Sequence, residues 1–335
     1  MRIVFTFYLL ISLGACSMST FKEPKINGVS FVASRDSIFE THVIPVLRIN
    51  ANYAAIMPYG FIRSVDEPDI IYNSKRQWFG ESKLGAEQYI RELSRHNVKT
   101  MMKPHLWIRG EFTGHMTLTS DHNWEQLKLS YTSFILEYAA LAESTKTEIF
   151  CIGTELEAFI KYDSKYWFNL IKQIKSVYSG KLTYAANWDE YDKTPFWSEL
   201  DYIGVDAYFP VSNAQTPSVN ECLNGWESHK KEIKAVSDKF NKPILFTEFG
   251  YRSVDFSGRE PWKSDRYKST ANLIAQNNTT TALFETFWKE DWFSGGFIWK
   301  WFHNYETNGG TLNNQFTPQN KPVELIIKNY YSAFQ

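Results

Sequence analysis

Cysteine is scarce, with three residues in a chain of 335. Cys16, Cys151 and Cys222 have neither the density of a disulfide framework nor the spacing of a metal clip. Cys151 and Cys222 read as free structural thiols. Histidine does not supply a metal signature either, because His115 and His122 flank a loop with no His-x-x-x-His pair to complete a site, so no metal or other cofactor is expected. An excess of one charge is also missing: Lys+Arg 36 stand against Asp+Glu 37, with no basic cluster, which excludes the electrostatic footprint of a nucleic-acid binder. No glycine-rich phosphate fingerprint follows the first strand-like run, which argues against a dinucleotide fold. Past residue 25 there is no repeat, no low-complexity tract, and no run approaching the roughly 18 apolar residues of a membrane span. The partner is expected to be neutral.

The one long apolar run is at the start, residues 3–13 after Met1-Arg2, with the charged start and short apolar centre of an export signal. It ends in Leu13-Gly14-Ala15-Cys16, which resembles the lipobox of bacterial lipoproteins. That resemblance implies a signal peptide at 1–15, acylation of Cys16, a polar tether at 16–24 and a folded domain at 25–335. The protein is then held to a membrane through its lipid only. Ser17 follows without an acidic cluster, so an outer-membrane anchor facing the periplasm is the expected location.

Hydrophobic residues at 43% and charged residues at 22% suffice for one large core. Eight β-like runs, at 25–33, 52–59, 98–108, 148–155, 181–188, 200–209, 242–251 and 295–302, alternate with helical patterns such as Leu127, Tyr131, Phe134, Ile135 and Tyr138. This order predicts an α/β fold, a single (β/α)8 barrel acting as a monomer, with an open doubly wound sheet as the competing architecture. Alternation along each strand places Cys151, Gly153 and Glu155, then Gly204, Asp206 and Tyr208, then Lys103, His105 and Trp107 toward the barrel axis.

Glu155 and Glu248 end two of these runs. An ionised carboxylate in an apolar strand is costly unless it is paired or at work, and two of them at the C-terminal rim of one barrel suit glycosidic bond cleavage by an acid/base and a nucleophile. Glu157 shares the parity of Glu155 and competes for its role. His105 and Tyr208 are candidate donors to such a site. Aromatics reach 17% with 12 Trp, and Trp107, Trp188, Tyr208, Trp299 and Trp301 are candidate platforms for sugar rings.

The runs KPHLW at 103–107, LTYAANWDE at 182–190, LDYIGVDAYFP at 200–210 and ILFTEFGYRS at 244–253 resemble glycoside hydrolase family 113. The resemblance implies cleavage of β-1,4-mannan or manno-oligosaccharides by double displacement without a metal, with Glu155 as acid/base, Glu248 as nucleophile and Trp299 as the floor of the cleavage subsite. Many relatives in the wider clan place Asn before the acid/base to contact the sugar 2-hydroxyl, where this chain has Thr154; Asn187 or Asp206 is expected to supply that contact. Two alternatives stay open, a different β-linked glycan and a non-catalytic glycan-binding lipoprotein.

Overall fold

The computed structural model describes residues 24–264 and 270–335. The expected export signal, Cys16 and the expected tether, up to residue 23, lie outside the described residues.

Two strands, β1 (Ile26–Phe31) and β2 (Tyr53–Ile56), open the barrel, and α1 (Glu40–Arg48) links them. The chain then leaves it for an antiparallel hairpin of β3 (Tyr59–Ser64) and β4 (Glu67–Ile71). After α2 (Lys83–Arg95) it returns as β5 (Lys99–Met102) and departs again as β6 (His105–Ile108), which pairs parallel with β3. From there strands and helices alternate: α3 (Asp121–Thr145), β7 (Ile149–Thr154), α4 (Glu157–Tyr162), α5 (Ser164–Val177), β8 (Lys181–Asn187), β9 (Ile203–Ala207), α6 (Val219–Phe240), β10 (Ile244–Phe249), α7 (Leu273–Phe287), β11 (Phe293–Trp301) and α8 (Pro322–Ala333). Eight strands close into a parallel barrel in the order β1-β11-β10-β9-β8-β7-β5-β2. The (β/α)8 architecture is therefore present, and the open sheet is not.

One expected strand is two. The run 98–108 divides at Pro104, which has no N–H for a ladder. Ile56 pairs with Met102, so Pro58 and Pro104 stand level, each two residues further on, and both strands turn out of the barrel there. The last ladder bonds are Lys103 N–H to Ile56 O at 2.8 Å and His105 N–H to Pro58 O at 2.9 Å. His105 and Trp107 consequently belong to the three-stranded sheet over the barrel mouth, and not to the barrel wall.

The core has two compartments. Outward residues such as Phe150, Ile152, Ile203, Val205, Ala207 and Phe246 pack against the helices with Leu127, Phe134, Trp167 and Ile171. Inside the barrel, Ile26, Ala55, Met101, Ile149, Cys151, Ala185, Leu245 and Phe297 form a separate apolar plug. Cys151 in that plug and Cys222 on α6 are both buried and free. Above the plug the interior turns polar, with Lys103, Thr247 and Asp206 fully buried. A polar layer on an apolar floor marks the C-terminal face as the working end.

Candidate active site

Glu248 sits on a distortion of its strand. Phe246 pairs with Val205 while Glu248 pairs with the next residue, Asp206, so β10 carries one extra residue there. Such a bulge reverses the alternation of faces. Strict alternation would have sent Glu248 outward with Phe246; the bulge brings both Thr247 and Glu248 inward.

Both oxygens of Glu248 are engaged. Lys103 Nζ donates to Oε1 at 2.5 Å and Tyr208 Oη–H donates to Oε2 at 2.7 Å. Lys103 also reaches Asp206, at 3.0 Å to Oδ1 and 3.2 Å to Oδ2, and Thr247 donates to the same Oδ1 at 2.7 Å. One buried ammonium is thus shared between two carboxylates. Burial disfavours the Lys103 charge, but Asp206 and Glu248 outweigh it and its pKa is raised. Asp206 is pushed up to about 7 by burial first and by Glu248 second. Lys103 was placed inward by sequence but given no role; a lysine inside an apolar run at a strand end was the available signal.

Glu155 follows a second bulge, since Cys151 pairs with Thr183 but Thr154 with Ala185. Its backbone is left-handed, with φ of 51°, which swings the side chain off the strand path and into the cleft. No side-chain donor reaches its carboxyl among the described residues. Burial first, then the negative charges of Asp206 and Glu248, hold its pKa well above the ordinary carboxylate range. The two glutamates are therefore unlike: one is clamped by donors, the other is bare, in surroundings that favour its protonated form. Glu157 is not a rival, because it turns to α4 and pairs with Lys161 at 2.7 Å.

A cleft of about 390 Å³ joins Glu155 and Glu248 with Tyr59, His105, Trp107, Glu111, Phe112, Thr154 and Trp299. His105 Nε2 stands 3.8 Å from Glu248 Oε1. Burial and the neighbouring Lys103 lower its pKa well below the usual value, so it faces Glu248 as neutral imidazole. Trp107 is half-exposed on the cleft wall, edge-on to Phe61. Tyr59 and Trp299 also border a smaller hollow of about 140 Å³ that contains Trp78 and Glu81, so the cleft continues past the carboxylates. Tyr59, Trp78, Glu111 and Phe112 were given no role by sequence: Tyr59 ends the run 52–59 but starts the hairpin strand β3, and the other three lie in loops that strand counting passed over. Among the described residues no group of three His, Cys, Asp or Glu side chains is placed to hold a metal.

Four expected binding residues are elsewhere. Asp206 is fully buried beneath Glu248 and occupied by Lys103 and Thr247, so it is a charge partner and not a sugar contact. Asn187 turns its Oδ1 to the Trp188 N–H at 2.8 Å and does not line the cleft. Trp188 stacks on Trp262 at 5.1 Å in a groove beside α6. Trp301 is fully buried in the outer core, for a reason seen in the register: Val29 pairs with Ile298 but Phe31 with Trp301. The extra residue reverses the faces, so Trp299 and Trp301 do not share one.

A larger hollow of about 780 Å³ lies at the opposite pole, where the strands begin. Among its lining charges Lys181 pairs with Asp201 at 3.2 Å.

The family model for glycoside hydrolase family 113 matches residues 41–321. The chain belongs to this family. It is a glycoside hydrolase. No curated protein matches the chain. Among solved structures, the family 113 β-mannanase AaManA from Alicyclobacillus acidocaldarius, in complex with ManMIm, superposes with a TM-score of 0.79 at 22% identity, covering 95% of this chain and 100% of that one. A family 113 β-1,4-mannanase complex gives 0.80 at 23%, covering 92% and 99%. A β-glucuronidase from Ruminococcus gnavus, in complex with D-glucuronic acid, gives 0.59 at 14%, covering 92% of this chain and 49% of its own. These likenesses concern the fold.

Proposed function

We propose that the chain hydrolyses β-1,4-mannosidic linkages with retention of configuration, using Glu155 as acid/base and Glu248 as nucleophile. The observation that carries the reading is the contrast between the bare Glu155 and the doubly held Glu248. In the first step a Glu248 carboxylate oxygen attacks the anomeric carbon while Glu155 gives its proton to the departing glycosidic oxygen. A glycosyl ester forms and the leaving chain departs with its hydroxyl. In the second step Glu155, now ionised, takes a proton from water, whose oxygen displaces Glu248. Lys103 and Tyr208 hold the charge of Glu248 between turnovers, and Trp299 offers a flat apolar face to the sugar.

The substrate class rests on family membership and on the superposed family 113 proteins, which are β-mannanases. The hollow beyond Tyr59 and Trp299 supports an oligomeric substrate that extends past one sugar ring. Product analysis on mannohexaose, cellohexaose and xylohexaose tests this. Short products from the mannose oligomer alone, first appearing as the β-anomer by NMR and absent with Glu248→Ala, are the expected result. Turnover of cellohexaose instead would reassign the glycan, and no turnover of any would favour a binding module.

The export signal and Cys16 suggest an acylated bacterial lipoprotein, outer-membrane facing the periplasm. The first strand starts at the pole opposite the cleft, so an anchor there would leave the cleft facing away from the lipid. Mass spectrometry of the mature protein should find Cys16 acylated.

A further inference from the structure

Glu190 is a buried carboxylate that the chemistry above does not use. It follows β8 in the turn 187–190, and its Oε1 accepts two hydrogen bonds, from Asn187 N–H at 2.9 Å and from Tyr184 Oη–H at 3.1 Å. Tyr184 Oη in turn accepts the Leu156 N–H at 2.6 Å. Leu156 is the residue after Glu155, and that N–H belongs to the peptide on the C-terminal side of the left-handed position. A left-handed glutamate is uncommon and needs surrounding structure to hold it. Here Glu155 N–H is tied to Ala185 O at 2.8 Å on one side, and the Tyr184 phenol ties the peptide on the other.

We propose that Glu190 is a positioning residue for Glu155: acting through Tyr184, it locks the peptide that follows Glu155 and so the direction in which that carboxyl enters the cleft. The inference rests on the reading of Glu155 as the acid/base. Tyr184 is fully buried among Trp167, Phe196 and Trp197, so its ring cannot shift to another acceptor. Burial, then Glu190, keeps it a phenol, with its proton available to donate.

The charge of Glu190 adds a second effect. Glu155 faces Asp206 from β9, Glu248 from β10, Lys103 at the end of β5, and Glu190 from the β8 side. Glu190 itself faces Glu157 on α4 and Asp189 in its own turn, and burial pushes its pKa up to about 7. Its charge is therefore largest on the alkaline side, where a general acid is at risk of losing its proton. There it opposes that loss.

Two variants separate geometry from charge. Both bonds to Glu190 end on one oxygen, so Glu190→Gln can keep them and remove only the charge. Tyr184→Phe removes the tie to Leu156. With manno-oligosaccharide substrate, Glu190→Gln is expected to retain most of kcat while the alkaline limb of the kcat/KM profile moves to lower pH. Tyr184→Phe is expected to lose on the order of ten- to a hundredfold in kcat with KM little changed. Circular dichroism confirms that each variant folds. An alkaline limb that stays in place in Glu190→Gln together with an undiminished kcat in folded Tyr184→Phe overturns the inference. Glu155→Gln is run alongside: if it retains full activity the acid/base reading itself fails, whereas its inactivity with the other two unaltered removes only the positioning role.

Discussion

Trp299 and Trp301 show how far one residue's neighbourhood decides its use. Both lie in the same nine-residue strand, Phe293–Trp301, yet one borders the cleft and the other is sealed in the outer core. Trp301→Ala is expected to cost about 3–5 kcal/mol of stability, the range for emptying a large aromatic site, with KM unchanged. Trp299→Ala should leave the urea midpoint nearly in place and lower kcat/KM roughly tenfold, from losing about 1.4 kcal/mol of ring contact. Unfolding curves and steady-state kinetics on the two variants give opposite patterns. Lys103 is the residue whose importance is least visible in the sequence. It is one cation among thirty-six Lys and Arg, and only the closure of the barrel brings Asp206 and Glu248 to its amine.

At the scale of elements, the departures from regularity build the site. Bulges in β7, β10 and β11 reset the faces before Glu155, before Glu248 and after Trp299. Paired prolines after β2 and β5 release the small sheet that carries Tyr59, His105 and Trp107 to the mouth. Elsewhere the strands come too close for a side chain. A Cβ on Gly204 would lie 2.1 Å from Tyr184 O and 2.5 Å from Thr183 Oγ1, and the carbonyl, fixed in the β8–β9 ladder, cannot retreat. Gly204→Ala is therefore expected to destabilise the barrel by about 2–3 kcal/mol, the upper part of the overpacking range, as read by urea unfolding. Alternation of apolar residues located eight strands and the helical faces correctly. It failed at Trp301 and in the run 98–108, because a bulge or a proline is a local exception that a period of two cannot express; Glu248 does point inward, but through a bulge and not through that period.

Over the whole molecule, buried ionisable groups link stability to pH. Lys321 donates to Ser253 Oγ at 3.0 Å and Gln315 O at 2.6 Å, and burial, then Arg252, lowers its pKa to about 7. Between that value and the unfolded lysine near 10.4, the unfolded chain binds the extra proton, so this group's contribution to stability rises with pH and is lost as pH falls to 7. Glu190 acts in the opposite sense. Its folded pKa of about 7 stands above an unfolded value of 4.5, so its contribution is complete below the latter and lost as pH rises through the former. Lys321→Met should therefore compare more favourably with the wild type at pH 6 than at pH 10. Urea unfolding of both proteins at the two pH values measures this, and an equal difference at each would contradict it.

The order of apolar runs and the residues at their ends determined the barrel, its polarity and the two glutamates, because burial and the period of a strand act locally and leave a mark in the sequence. The roles of those glutamates were implied by family resemblance and not by the pattern itself. Only the tertiary structure decided that Lys103 and Tyr208 hold Glu248, that Glu155 is left bare, and that Asp206, Asn187, Trp188 and Trp301 stay out of the cleft. Charge pairing and side-chain direction depend on residues brought together by closure and on one-residue shifts of register, and neither is encoded in any single stretch of the chain.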